Sequence, residues 1–266
     1  MNRLLVTLLF PALAFAQSGT GESFHPTPGQ PGKDVVWVPT PHALVEKMLD
    51  MARVTAQDYV IDLGSGDGRN VIAAAKRGAK ALGVEYNPEM VELARRNAAR
   101  EGVADVARFV QGDMFEADIS QATVLALFLL PANLDKLKDK FLALPAGTRI
   151  VNNGYKIFGW EEAETGHSNV YCITWCTAYL YIVPAQVAGA WRLPAGELHF
   201  EQAFQALTGR LATADGRTLP VQGSVKGERV YFSVGLDTYS GRVRGDEMSG
   251  AASGSVSGYW KAARVR

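Results

Sequence analysis

Apolar residues in the first two thirds of the chain follow two alternating periods. Leu44, Met48 and Met51 recur at helical spacing and predict an amphipathic helix over residues 41–54, packed on a sheet. Strand signals follow at residues 59–63, 81–86, 107–110, 123–130 and 148–151, and helix signals lie between them at 69–77, 88–101 and 134–142. Residues 171–183, rich in aromatic and β-branched side chains, predict the last strand or a final hairpin. The unbroken apolar run Val124-Leu125-Ala126-Leu127-Phe128 marks a strand covered on both faces, as a parallel sheet requires. Such alternation predicts an α/β fold built on a doubly wound sheet.

Near Pro184 the texture changes. From Gly189 onward the chain carries short strand signals separated by Gly, Ser and Thr, with almost no helical pattern. Segments such as Leu207-Thr208-Gly209-Arg210-Leu211 and Tyr239-Ser240-Gly241-Arg242-Val243 resemble one another, and Trp191 and Trp260 bracket the region. Even spacing with turn glycines predicts a small antiparallel all-β domain, a barrel or sandwich of about eight strands, over residues 186–266. A surface-binding module and a structural appendage are both open for it.

The N-terminal residues fall outside this pattern. Arg3, the apolar run Leu4 to Leu13 and the small-x-small site Ala14-Phe15-Ala16 before Gln17 match a signal peptide over residues 1–16. The run is short for a membrane span, so export to a periplasmic or secreted location is expected, with an N-terminal membrane anchor as the alternative. Residues 17–35 read as a mobile Gly/Pro/Ser-rich linker, and 36–185 as the α/β domain.

Composition removes some classes. The 27 Lys and Arg balance the 27 Asp and Glu, which gives no general attraction to nucleic acid. Four His and two Cys show no metal-ligand spacing, so no metal is expected. Cys172 and Cys176 fall in the predicted strand, where four residues span roughly 13 Å. A disulfide reaches only about 7 Å between Cα atoms, so both are expected to be buried, unbridged thiols.

The chemistry concentrates at Val60 to Arg69, VIDLGSGDGR, where a strand runs into a glycine turn and then a helix. That is a nucleotide-binding corner. The dinucleotide fingerprint needs a third glycine where this chain has Arg69, and Asp67 inside the turn opposes a pyrophosphate. Glu85 ends the next strand, placed to take both hydroxyls of a ribose. A cationic ligand with a ribose and no phosphate fits this loop, and S-adenosylmethionine (SAM) is such a ligand.

The ordered set Val38-Pro39-Thr40-Pro41, Asp62 to Arg69, Val71 to Lys76, Gly83-Val84-Glu85-Tyr86-Asn87-Pro88, Glu101-Gly102-Val103 and the Asp113 region resembles class I SAM-dependent methyltransferases. It is most similar to the protein-lysine methyltransferases that act on the ATP synthase c-ring protein and the adenine nucleotide translocase, over about residues 36–185. The resemblance implies a Rossmann-like methyltransferase sheet. It also implies a cofactor site of Thr40, Asp62, Gly64, Ser65, Gly66, Asp67, Arg69, Glu85, Tyr86, Asn87, Asp113 and Met114. Asp113 would bond the adenine amino group with Met114 flanking the ring, and Thr40 would lie in a segment closing over the cofactor. Read from the residues alone, Asp113 is equally a turn residue or helix cap, and Thr40 an N-cap.

The acceptor is expected after the fourth strand, where Phe128-Leu129-Leu130-Pro131 stands in place of the Asn/Asp-Pro-Pro of many amino-directed methyltransferases. Leu130, Pro131, Asn152 and Tyr155 are the acceptor-side candidates, joined by Asn153; for the two asparagines and the tyrosine, polar loop residues are the plainer reading. The expected activity is methylation of a protein lysine. The alternatives are a small-molecule or lipid methyltransferase, and an exported non-catalytic protein acting through its β domain. Export sets one conflict, because SAM is made in the cytosol.

Overall fold

The computed structural model describes residues 24–170 and 172–265, so the signal segment 1–16 lies outside the described residues. Helix α1 (His42–Met51) precedes β1 (Tyr59–Leu63), α2 (Arg69–Lys76), β2 (Lys80–Glu85), α3 (Pro88–Arg100) and β3 (Ala107–Gln111). Then come β4 (Val124–Leu127), α4 (Pro131–Leu142), β5 (Arg149–Asn153), β6 (Glu164–His167) and β7 (Thr177–Ile182). The seven strands form one sheet in the order β3-β2-β1-β4-β5-β7-β6. β1 pairs in parallel with both β2 and β4, and β7 runs antiparallel to β5 and β6.

Both faces of this sheet are covered. Val60, Val124, Ala126 and Val151 pack with α1, α2 and α3, whereas Ile61, Leu125, Leu127 and Ile150 pack with Leu134, Leu137 and Phe141 of α4. Neighbouring strand residues point to opposite faces, so the continuous apolar runs serve two cores at once.

A closed antiparallel barrel follows, made of β8 (Gly189–Leu193), β9 (Gly196–Ala203), β10 (Ala206–Thr213), β11 (Thr218–Lys226), β12 (Arg229–Val234), β13 (Asp237–Arg244), β14 (Glu247–Ser253) and β15 (Gly258–Arg264). Its interior is filled: Phe232 meets Phe200 and Trp260 edge-on and stacks on Tyr239. Eight strands leave room for side chains and little more. The barrel is tied to the α/β unit at several points. Trp160 lies between Tyr181 of β7 and Phe204 in the β9–β10 turn, with centroids 5.5 and 5.4 Å away. Gln205 Nε2 donates to the Glu161 carbonyl (3.2 Å), and Ala185 N to the Gly227 carbonyl (2.8 Å).

Several expectations need correction. β4 stops at Leu127, three residues early, because Leu129 N donates to the Asn152 side chain and Pro131 opens α4, where its missing N–H is no loss. The predicted strand at 171–183 begins only at Thr177. Before it the chain bends, which brings the Cα atoms of Cys172 and Cys176 to 5.7 Å, and the two form a disulfide rather than a pair of buried thiols. The expectation failed because it assumed extended backbone. Residues 24–35 are not a free linker either. Gly29 N donates to the Trp37 carbonyl and Pro31 bridges to Val36, so the segment folds back as a strap.

Trp160→Ala leaves a void between two aromatic rings at the junction. It is expected to lower stability by about 3–5 kcal/mol in denaturant unfolding; a change under about 0.5 kcal/mol would mean that Trp160 does not brace the barrel.

Candidate active site

The chain leaves β1 toward β2 and β3 on one side, then returns to β4 on the other. The gap between the carboxyl ends of β1 and β4 is therefore the crevice where a doubly wound sheet takes its ligand. Asp62, near the end of β1, is buried there with 3% exposure. Asn70 in the first turn of α2 points back at it: Nδ2 donates to Asp62 Oδ2 (3.1 Å) and to the Ala126 carbonyl of β4 (3.2 Å). Asn70 Oδ1 is buried without a hydrogen-bond partner. Burial pushes the Asp62 carboxyl well above its ordinary value; the Asn70 hydrogen bond opposes this, and the charges of Glu85 and Asp67 add to it.

The glycine turn holds this corner open. Gly68 has φ +84°, and a Cβ there would lie 2.7 Å from the Phe109 ring, so both backbone conformation and space demand glycine. Glu85 is fixed by two amides, accepting from Gly66 N and Asn87 N at 2.9 Å each. Asn87 caps α3 by accepting from Glu89 N (2.8 Å).

Asp67 behaves differently from expectation. Arg69 Nε and Nη2 both donate to its carboxylate, so its charge is paired and does little to repel a phosphate. Arg69 Nη1 in turn donates to the Thr40 carbonyl (2.6 Å), which leaves no free cation in the turn to attract a phosphate. The electronegative character rests on Asp62 and Glu85.

The strap closes over this groove. Trp37 packs on Gly66, and Lys33 Nζ reaches Asp113 Oδ2 (2.5 Å) and lies 4.8 Å from the centre of the Tyr86 ring. Asp113 Oδ1 accepts from Phe115 N (2.9 Å), so both carboxylate oxygens have protein donors. The Lys33 hydrogen bond, then the Phe115 amide, hold the Asp113 carboxyl below its usual range.

All twelve residues expected at the cofactor line this single groove. The acceptor-side candidates do not; Phe128 does. Asn152 is fully used inside the fold, accepting from Leu129 N (3.0 Å) and donating to the carbonyls of Asn153 and Tyr155 (3.1 and 2.8 Å). Its amide positions the chain between β4 and the β5 loop and is not offered to a ligand. Leu130 occupies the N-cap position of α4 and Pro131 its first turn. Asn153 donates to Thr40 Oγ1 (3.3 Å), and its own Oδ1 is buried without a partner. Tyr155 packs against Trp175, with centroids 4.9 Å apart. The N-cap of α1 is Pro41 and makes no side-chain capping bond, so Thr40 is not that helix's cap.

Sequence reading missed Asn70, Lys33, Trp37 and Trp175. Asn70 carried a usable signal, since a polar residue in the first turn after a glycine loop faces the preceding strand's tip. Lys33 meets Asp113 across 80 residues, and no local pattern announces that contact.

What the groove can hold follows from its donors and acceptors. Its core offers a desolvated carboxyl and an unsatisfied amide oxygen, with no free cation in the turn. An α-ammonium group would supply the donor Asn70 Oδ1 lacks, and Glu85 keeps lone pairs for vicinal hydroxyls. The group that fits is cationic, bears a ribose and lacks phosphate, as SAM does. Among the described residues, no cluster of His, Cys, Asp and Glu could hold a metal, and no helix is long and apolar enough to cross a membrane.

Known proteins agree with this geometry. The family model described as the ANTKMT methyltransferase domain matches residues 62–164, ending before the barrel. A protein-lysine N-methyltransferase of Saccharolobus islandicus is 42% identical over 157 residues, covering 56% of this chain and 94% of that protein. The human lysine N-methyltransferase named for the ATP synthase c-ring protein is 38% identical over 171 residues, covering 64% of this chain and 70% of its own length. Among solved structures, an RNA methyltransferase from Salinibacter ruber in complex with S-adenosyl-L-homocysteine is 42% identical, with TM-score 0.53, over 56% of this chain and 96% of that one.

The raised Asp62 carboxyl predicts a pH signature in the ligand-free protein. Its folded pKa exceeds the unfolded value of about 3.9, so its stabilising contribution is full below that value and is lost as pH rises through the folded pKa. Wild type should therefore lose stability relative to Asp62→Asn as pH increases above about 4 in thermal melts. A pH-independent difference would contradict the assignment.

Proposed function

We propose, because the chain belongs to the ANTKMT family of SAM-dependent protein-lysine methyltransferases, that it transfers a methyl group from SAM to the side-chain amine of a lysine in a protein. The observation that carries the reading is the groove at the tips of β1 and β4, where a desolvated carboxyl and an unpaired amide oxygen lie beside a glycine turn whose arginine is already paired. Bound SAM supplies a methyl group on a sulfonium: the amine lone pair takes the methyl, the sulfur keeps the electrons of the broken bond, and the methylated ammonium sheds a proton.

The chain's residues have positioning roles. Asp62 and Asn70 receive the α-ammonium, Glu85 the ribose hydroxyls, and Met114 flanks the base. Thr40 and the strap close the groove and exclude water. Asp113 takes the adenine amine in exchange for Lys33, which leaves its ion pair when cofactor enters. No general acid or base is required, because a lysine with an ordinary pKa of about 10.4 becomes nucleophilic once a dry channel beside a sulfonium favours the neutral amine. The matched Salinibacter protein bears the name RNA methyltransferase. An RNA acceptor here is disfavoured by the balance of 27 basic and 27 acidic residues.

Residues 1–16 act in this reading as a signal peptide that exports the protein, a proposal supported by the Arg3, Leu4 to Leu13 and Ala14-Phe15-Ala16 pattern. N-terminal sequencing of the mature protein should begin at Gln17; an intact Met1 on membrane-bound material would mean an anchor instead.

Methyl transfer is tested with radiolabelled SAM against lysine-containing peptides, the same peptides with arginine in place of lysine, and RNA. Label should enter only the lysine peptides. Glu85→Ala should weaken SAM binding on the order of 10–100-fold, as expected when two hydrogen bonds to a charged group are lost. Label in RNA alone would reverse the acceptor assignment.

A further inference from the structure

We propose that Phe128, Tyr155 and Trp175 form the binding site for the acceptor's ammonium group, and that the Cys172–Cys176 disulfide is the device that holds Trp175 in it. The proposal rests on the lysine reading above for the identity of the cation, but the ring cluster stands on its own geometry. Phe128 follows β4 and lines the cofactor groove, so the cluster begins where the methyl group must be delivered. Trp175 lies 5.9 Å from the Phe128 centroid and 4.9 Å from that of Tyr155, both at tilted angles. The three rings thus run outward from the groove along the ends of β4, β5 and β7.

Two backbone features show that Trp175 is placed rather than draped. It has φ +59°, a left-handed conformation that a bulky residue adopts only when its surroundings impose it. Gly154 (φ +78°) leaves the space the indole fills, since a Cβ there would lie 2.9 Å from the Trp175 ring. The disulfide joins residues four apart in sequence and so closes the short loop on both sides of Trp175. Ile173 in the same loop is exposed, whereas Trp175 turns inward and keeps 39% of its surface open.

The chemistry of the acceptor explains why aromatic faces suit this position. A lysine arrives from water as a cation and must react as a neutral amine. Ring faces attract the cation through their quadrupole and offer no anion to hold the proton afterwards. A carboxylate here would bind the ammonium more firmly and keep it protonated.

The test uses the full chain and two readouts. The first is calorimetric titration of the SAM-bound protein with Nα-acetyl-Nε-trimethyllysine amide, a cation that cannot be methylated. The second is the kinetics of a single-lysine peptide. Trp175→Ala should leave SAM affinity unchanged and weaken the trimethyllysine probe on the order of tenfold, the size of a partly desolvated cation–π contact. Peptide KM should rise in step, with kcat changed much less, and Trp175→Phe should restore most of the loss. The Cys172→Ser/Cys176→Ser double variant should shift probe affinity and KM in the same direction by a smaller factor. Reductant should do likewise to wild type and nothing further to Trp175→Ala. Wild-type probe binding that survives Trp175→Ala would overturn the proposal, as would no binding to wild type or a Trp175→Phe variant as weak as the alanine. If wild type binds the probe through Trp175 but methylates no lysine peptide, the functional reading fails and the cation site stands.

Discussion

A carboxyl group buried at the tip of the central strand is the constraint around which the rest of this molecule is arranged. Asp62 sits at the switch point of the sheet, where parallel strands on both sides keep water away. Leaving an ionised carboxylate there unpaired costs several kcal/mol, so the group is held neutral until a cation arrives. Asn70 is the only side chain donating to it among the described hydrogen bonds, and it is itself half satisfied. This is a site completed by its ligand. The glycine turn, the Glu85 amide bonds and the Arg69–Asp67 pair give that ligand room and leave no free positive charge in the turn to recruit a phosphate.

Around that point the chain supplies two closures of different kinds. On the cofactor side, a strap held by Arg69 at Thr40 and by Lys33 at Asp113 crosses the groove. The Lys33 pair is partly exposed and so is worth little by itself, which suits a contact that must open and close. On the acceptor side, the loop after β5 is braced from below by the barrel through Trp160 and Phe204, and from above by the disulfide-closed loop bearing Trp175. The barrel is thus attached to the element that borders the acceptor. Its packed aromatic interior offers no room for a ligand of its own.

Much of this was legible in the residues, and the parts that were not share a cause. The strand, turn and helix of Val60 to Arg69 are local, and their ligand preference follows from one missing glycine and the following acidic strand end. The eight-stranded barrel declared itself through evenly spaced turn glycines. What failed was long-range or depended on a bend. The disulfide was excluded by assuming that residues 171–176 are extended, when the strand starts only at Thr177. Residues 24–35 looked like a linker because Pro and Gly punctuate them, yet Lys33 finds a partner far away in sequence. Asn152 looked like a loop amide available to substrate, and its three hydrogen bonds are spent inside the fold.

The claim that Asp62 is neutral alone and ionised by its ligand is tested most directly by the protons exchanged on binding. Calorimetric titration of SAM in mildly acidic buffers of different ionisation enthalpy reads that number. Proton release by wild type, absent from Asp62→Asn together with much of the affinity, is the result expected here. Binding enthalpies independent of the buffer, with undiminished affinity in the variant, would contradict it.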